Sequence, residues 1–316
     1  MTTSGLPFDD YRTLLKSLPG PNEAARTRVS ERNAKLSGQG PALGRIGEIA
    51  EWLAAWTGRD PAVLRPLVAI YAGTHAIALD GIAQTQAMIE HAAAGGAAVN
   101  QICAAQDLGL KIFDLALQLP VGDIRLEPAL DERGCAATMA FGMEAVAGGI
   151  DLLCLAAVGV GGNVSAAALM AAVLGGTGAD WTSSSEDAAM VDAALAMHGA
   201  NLKDPLEALR RLGGREIAAL AGAILAARVE KVPAIIDGYA GLAAAAVLRA
   251  AEPAAIDHCM LGHVSTEPGM ARAAEAMGLK PLLHLSLGDG EGIGAALAAG
   301  VVKNAALVHS GMALRT

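Results

Sequence analysis

The stretch Gly288-Asp289-Gly290-Glu291-Gly292-Ile293-Gly294-Ala295-Ala296-Leu297 carries the sharpest chemical pattern in the sequence. Four glycines alternate with two carboxylates immediately before alanine-rich, helix-forming residues. Glycine at alternate positions lets the backbone lie against a flat ligand while one carboxylate, Glu291, points inward. A carboxylate set in an apolar pocket ionises less readily, which suits a general base working near neutral pH. The plainer reading is a flexible turn whose acidic residues sit at the positive end of a helix. Spacing alone leaves both readings open.

A second loop, Gly159-Val160-Gly161-Gly162-Asn163-Val164-Ser165, follows an apolar run and opens another helix-forming stretch. Its Gly159, Gly161, Gly162, Asn163 and Ser165 are candidates for cradling a phosphate on N–H groups at a helix N-terminus. The loop is neither G-x-G-x-x-G nor a Walker A sequence, and tight strand–helix packing explains its glycines comparably well. A Rossmann-type oxidoreductase therefore has little support. His75 ends another apolar run, as a ligand contact or as an ordinary hydrogen-bonded histidine. The seven histidines show no metal-ligand spacing, and no Ser/His/Asp or Cys/His arrangement emerges from the spacing. Ser183-Ser184-Ser185-Glu186-Asp187 reads as a solvated loop ending in a helix cap, and Arg210-Arg211 as a solvated helix end.

The elements that must position these residues follow from hydrophobic rhythm. Apolar runs recur at Leu67–Ala72, Lys111–Ala116, Asp151–Val158, Pro233–Gly238, Cys259–Val264 and Leu282–Leu287. Alanine-rich helical stretches lie between most of them, as at Ala87–Asp107, Arg133–Gly148 and Glu216–Arg228. That alternation predicts an α/β fold: a doubly wound parallel sheet with helices on both faces. Ligands in such sheets gather beyond the carboxyl ends of the strands, where His75, Gly159–Asn163 and Gly288–Gly294 fall. Before Gly58 the chain is helical instead. A Ser37-Gly38-Gln39-Gly40-Pro41 loop precedes a segment with Ile46, Ile49, Ala50, Leu53 and Trp56 on one helical face.

Composition narrows the partners. Hydrophobic residues make up 53% of the 316 and charged residues 17%, which excludes disorder. The most apolar stretch, Leu152–Gly176, is interrupted by Gly159–Asn163, so it reads as strand, loop and helix rather than a membrane span. Phe8-Asp9-Asp10-Tyr11 stands where a signal peptide would be apolar, and a cytoplasmic protein with no membrane partner is expected. A net charge of −9 with 3% aromatic residues argues against nucleic acid as a partner. Cys103, Cys135, Cys154 and Cys259 are widely spaced in apolar contexts and read as buried free thiols. The 38 glycines imply very close contacts between elements, with some small-residue surface covered by a second subunit.

Several collinear segments carry a resemblance: Ser4-Gly5-Leu6-Pro7-Phe8-Asp9-Asp10, Ala94–Cys103, Cys135–Ala145, Arg211-Leu212-Gly213-Gly214-Arg215-Glu216-Ile217-Ala218, Ile236-Asp237-Gly238-Tyr239, Gly262-His263-Val264-Ser265 and Gly290–Leu297. Over nearly its whole length the chain resembles the nicotinate-nucleotide:dimethylbenzimidazole phosphoribosyltransferase family. The resemblance implies a Rossmann-like nucleotide- and base-binding domain (63–297), a small helical domain from both chain ends (1–62 plus 298–316) and a homodimer. It also implies a reaction in cobalamin biosynthesis. The ribose phosphate of nicotinate mononucleotide passes to 5,6-dimethylbenzimidazole or a related azole, Glu291 accepts the azole proton, and no metal or redox cofactor takes part. The nucleotide would lie on Gly159–Ser165, and the acceptor base against His75, Gln84, Gln86, Leu287 and Gly290. The chain departs from the family pattern at Thr74-His75-Ala76, at Val158, where a second carboxylate is usual, at Val164 and Ser165, and near Asp187, where a lysine is usual. Those departures suggest the alternative of a catalytically impaired relative acting as a binding or regulatory protein or as a partner subunit.

Overall fold

The apolar runs become six strands of one parallel sheet: β1 Pro66–Ala72, β2 Gly109–Asp114, β3 Leu152–Val158, β4 Ala234–Ile236, β5 Cys259–His263 and β6 Pro281–Leu283. The computed structural model describes residues 5–38, 43–288 and 290–314. Ser4, Gln39-Gly40-Pro41 of the early loop and Asp289 of the late one lie outside the described residues. The strand order is β2-β1-β3-β4-β5-β6. From β1 the chain winds to one side to reach β2 and then to the other to reach β3. The loops leaving β1 and β3 therefore diverge and open a crevice between them. Register keeps the two in step, with Leu67 beside Leu153 and Ala72 beside Val158, so both loops leave at one level.

Three helices precede the sheet: α1 Pro7–Leu15, α2 Glu23–Ser37 and α3 Arg45–Thr57. Between strands come α4 Ile82–Ala93, α5 Ala98–Gln106, α6 Glu132–Met143, α7 Gly162–Leu174, α8 Gly178–Trp181, α9 Ser185–His198, α10 Pro205–Leu212, α11 Arg215–Val229, α12 Gly238–Ala251 and α13 Pro268–Met277. The chain closes with α14, Ile293–Gly311. Strand residues alternate between the two faces. Leu67, Ala69, Tyr71, Leu153 and Leu155 belong to a core shared with α6, α7, α11 and α12, whereas Val68, Ile70, Cys154 and Ala156 join one with α3, α5 and α14. Burial on both faces explains why the strands read as unbroken apolar runs.

Small residues set the spacing of the α6–α11 pair. A Cβ on Gly142 would overlap the backbone of Ala219, and one on Gly222 would overlap that of Met139. Helices from the two chain ends also meet. Arg32 of α2 donates to the carbonyls of His309 and Met312 at 3.0 and 3.1 Å, and Asn33 Oδ1 lies 2.8 Å from His309 Nδ1. α1 lies instead on α6, where Tyr11 donates its hydroxyl to the Ala136 carbonyl at 2.8 Å and Glu132 accepts from the Phe8 amide at 3.0 Å. α14 is long and apolar enough to cross a membrane by length and composition, but half of that stretch is buried within the fold against α3, α5 and β5.

Local expectations mostly hold, with physical reasons where they do not. Ala87–Asp107 is two helices rather than one, because the chain turns at Gly95 with φ +83°. Ser184 caps α9 by accepting from the Asp187 amide. Arg210 and Arg211 are not a solvated end: both side chains are largely covered and pair with Glu207 at 2.8 and 3.0 Å. The four cysteines are buried free thiols, and burial pushes them upward, Cys103 to about 11.

Candidate functional site

The crevice at the reversal of strand order holds a cavity of about 450 Å³. Its walls come from the loop after β1 (Ile77, Ala78), from α4 (Gln84, Met88), from the end of β3 with the glycine loop (Ala157–Val164), and from Asp187, Met190, Glu216, Ala240 and Gly290. The glycines of the loop answer specific close approaches. A Cβ on Gly159 would stand 2.6 Å from the Gly73 carbonyl oxygen, and one on Gly161 would stand 3.0 and 3.2 Å from Ala78 and His75. Gly161 also has φ +90°, which only glycine adopts freely, and it is the N-cap of α7. The turn is pinned by the Gly162 amide donating to the Gly159 carbonyl at 3.0 Å and by Val160 N donating to Thr85 Oγ1 at 3.1 Å.

The first turn of α7, Gly162–Val164, thus lines the cavity. Helix N–H groups there have no intrahelical acceptor and carry the positive end of the helix dipole. Among the described residues lining the cavity there is no Lys or Arg, while Asp187 and Glu216 bring carboxylates. The positive partial charge in this wall therefore comes from backbone dipoles rather than from a side-chain cation, and the two carboxylates oppose it.

Beneath the loop three polar side chains form a buried chain. His75 Nε2 lies 2.9 Å from Glu216 Oε1, and His75 Nδ1 lies 3.2 Å from Ser165 Oγ. His75 and Ser165 therefore stand behind the cavity wall rather than among its lining residues.

Glu291 occupies the far end of the crevice. It borders a small apolar pocket formed by Ile70, Met88, Ile89, Ala92, Ala97, Val99, Ile112 and Val158, and Met88 and Val158 are shared with the larger cavity. Its backbone is left-handed, at φ +58°, between Gly290 at +97° and Gly292 at +73°. A non-glycine residue in that region costs roughly 1–2 kcal/mol, so the conformation marks a constrained position. Gly292 is favoured by its φ of +73°, and it rests against Ala156, Val68 and Ile70 of the sheet.

Of the other expected residues, Gln84 and Gly290 line the main cavity, as do Gly159, Gly161, Gly162 and Asn163. Asn163 also donates to Glu267 Oε1 at 3.3 Å. Gln86 points away, donating to Glu90 Oε1 at 2.9 Å on the exposed face of α4. Leu287 is half-buried next to the loop, its carbonyl accepting from Thr266 N at 3.1 Å, and it borders neither pocket. Glu216, Met88 and Thr85 were not singled out from the sequence. The pair Gly213-Gly214 opening an apolar helix that carries one early glutamate was the available signal for Glu216. Among the described residues no cluster of His, Cys, Asp or Glu is arranged to hold a metal ion.

Comparison with known proteins places the chain in a family. Residues 18–316 match a family model described as Phosphoribosyltransferase. The chain is 60% identical to a nicotinate-nucleotide–dimethylbenzimidazole phosphoribosyltransferase of Rhizobium etli, across 99% of this chain and 97% of that one. It is 59% identical to the protein of the same name from Rhizobium meliloti, with the same coverage. The crystal structure of the Thermus thermophilus enzyme of that name superposes with a TM-score of 0.85 at 30% identity, covering 93% of this chain and 97% of that one. The chain is a member of the nicotinate-nucleotide–dimethylbenzimidazole phosphoribosyltransferase family.

Proposed function

We propose that this phosphoribosyltransferase moves the 5-phosphoribosyl group of nicotinate mononucleotide to 5,6-dimethylbenzimidazole, with Glu291 as the base. The nucleotide phosphate rests on the N–H groups at the start of α7, and the azole lies in the same cavity of about 450 Å³ against Met88, Val158 and Gly290, next to Glu291. The azole nitrogen attacks the anomeric carbon as the bond to nicotinate breaks. The bonding pair returns to the pyridine nitrogen, which becomes neutral. Glu291 takes the proton from the second azole nitrogen, so no positive charge is left on the new glycosidic product. Holding both reactants in line in a crevice lined largely by backbone and apolar groups supplies the rest through proximity and fixed dipoles.

The observation that carries this reading is the position of Glu291. A left-handed glutamate follows Gly290, which lines the glycine-loop cavity, and borders a tight apolar pocket that shares Met88 and Val158 with it. The 60% identity to the Rhizobium etli transferase favours turnover over a binding-only role. The test is incubation of the purified protein with nicotinate mononucleotide and 5,6-dimethylbenzimidazole, followed by mass spectrometry for α-ribazole phosphate. Product that disappears in Glu291→Gln supports the assignment; product formed equally well by that variant overturns Glu291 as the base.

A further inference from the structure

Three elements leaving the carboxyl end of the sheet are joined below the glycine loop by side chains that no step above uses. Glu216 lies in the first turn of α11, His75 follows β1, and Ser165 lies in the first turn of α7. They are 1%, 1% and 0% exposed, and they form one chain through the contacts of 2.9 and 3.2 Å at the two nitrogens of His75. Glu216 Oε2 is buried without a hydrogen-bond partner among the described residues. Glu216 is also among the residues that line the cavity, so its carboxylate stands between the loop and the space a ligand would take.

The backbone is shaped around this carboxylate. A Cβ on Gly73 or on Gly214 would overlap it, and a Cβ on Gly162 would stand 3.4 Å from Oε1. Glycines after β1 and before α11 leave it room directly under the loop, and Gly162 lies in ordinary contact above it.

We propose that Glu216 is a positioning residue for the nucleotide. Acting through His75 and Ser165, it fixes the first turn of α7 so that the N–H groups of Gly161 and Asn163, on either side of the Gly162 amide that closes the turn, receive the phosphate of nicotinate mononucleotide. This rests on the reading of Gly159–Asn163 as the phosphate loop. The cavity lining among the described residues has no Lys or Arg, so affinity depends on where these backbone dipoles point. A flexible cation would follow a displaced phosphate; a helix terminus does not.

The test is steady-state kinetics on Ser165→Ala, Glu216→Gln and the double variant of the full chain. Each single substitution is expected to raise the nucleotide KM roughly tenfold or more, leaving kcat at saturating nucleotide within about threefold and the dimethylbenzimidazole KM unchanged. Both substitutions cut the same chain, so the double variant is expected to be no worse than the worse single one. A residue that only stabilised the fold would lower Tm and leave the nucleotide KM where it was. A wild-type nucleotide KM in folded Ser165→Ala, or single effects that simply add, overturns the proposal. Ser165→Ala removes one oxygen atom, so the result stands even where Glu216→Gln fails to fold. Hydrogen exchange of residues 158–165 in the wild-type protein, with and without nicotinate mononucleotide, tests the loop separately. Protection there with unchanged variant KM values sinks the relay alone; absence of protection sinks the loop reading and the relay with it.

Discussion

Asp237 Oδ2 accepts a hydrogen bond from the amide of Ala295 at 2.8 Å, so a carboxylate from the end of β4 caps the helix that follows Glu291. The helix cannot cap itself, because its N-cap is Gly292, which has no side chain. A Cβ on Gly294 would press against both Asp237 and His263, so the glycine after the loop admits the cap. Asp237→Ala is expected to destabilise the protein by about 1–2 kcal/mol and to lower kcat, since the start of α14 sets the direction of Glu291. Asp237→Asn keeps an acceptor oxygen and should retain more of both. Thermal unfolding beside kcat measurements checks this, and equal losses in the two variants would refute the capping role.

Glu291 itself gives the sharpest kinetic expectation. Glu291→Gln preserves size and the left-handed backbone problem while removing the base. The expected result is a fall in kcat of about 10²–10⁴, with the KM for each substrate changed only modestly. A large rise in the acceptor KM with kcat intact would instead make Glu291 a binding group.

Much of this architecture was legible in the sequence because parallel strands buried on both faces leave unbroken apolar runs. All six runs became strands, although the last, read as Leu282–Leu287, is only Pro281–Leu283, and Lys111–Ala116 begins at Gly109. Runs do not encode where pairing stops. The loop around Glu291 was legible because alternating glycine and carboxylate is a local pattern. The chain Glu216–His75–Ser165 was not, because its partners are 141 and 90 residues apart and meet only when the sheet forms. The Arg211-to-Ala218 segment entered as a family signature, and nothing local revealed that its glutamate would be buried against a histidine. Gln86 was misleading for a similar reason. It lies two residues from Gln84 on α4, and the 100° helical step places the two on different faces.

The glycine-rich helix pair makes a prediction about stability. Gly222 of α11 abuts the backbone of Met139 on α6, so any Cβ there forces the two helices apart. Gly222→Ala is expected to destabilise by about 1–3 kcal/mol, against the gain that alanine normally brings to a helix interior. Gly20→Ala is the control, since a Cβ at Gly20 meets no heavy atom within 4 Å. Thermal melts of the two variants compare them directly. A Gly222→Ala protein as stable as the wild type would mean that the helix contact is not limiting.

Buried histidines set the response to acid. His258 is pushed down to about 3, first by burial and then by the charge of Arg228, despite its contact with the Ile224 carbonyl at 3.0 Å. Burial also lowers His198, His263 and His309. Because the folded value lies below the ordinary value of 6.5, the unfolded chain takes up the proton first. The stability that comes with a neutral His258 is complete above about pH 6.5 and declines as the pH falls toward 3. Each such proton contributes about 1.4 kcal/mol per pH unit, so His258 alone accounts for roughly 2 kcal/mol between pH 6.5 and pH 5. The other three lowered histidines act in the same direction. Denaturant unfolding at pH 7, 6 and 5 should show a steady loss of stability, and His258→Gln should reduce the slope by about one proton while lowering stability at pH 7. A slope unchanged by that substitution would show that His258 is protonated in the folded state as readily as in the unfolded one.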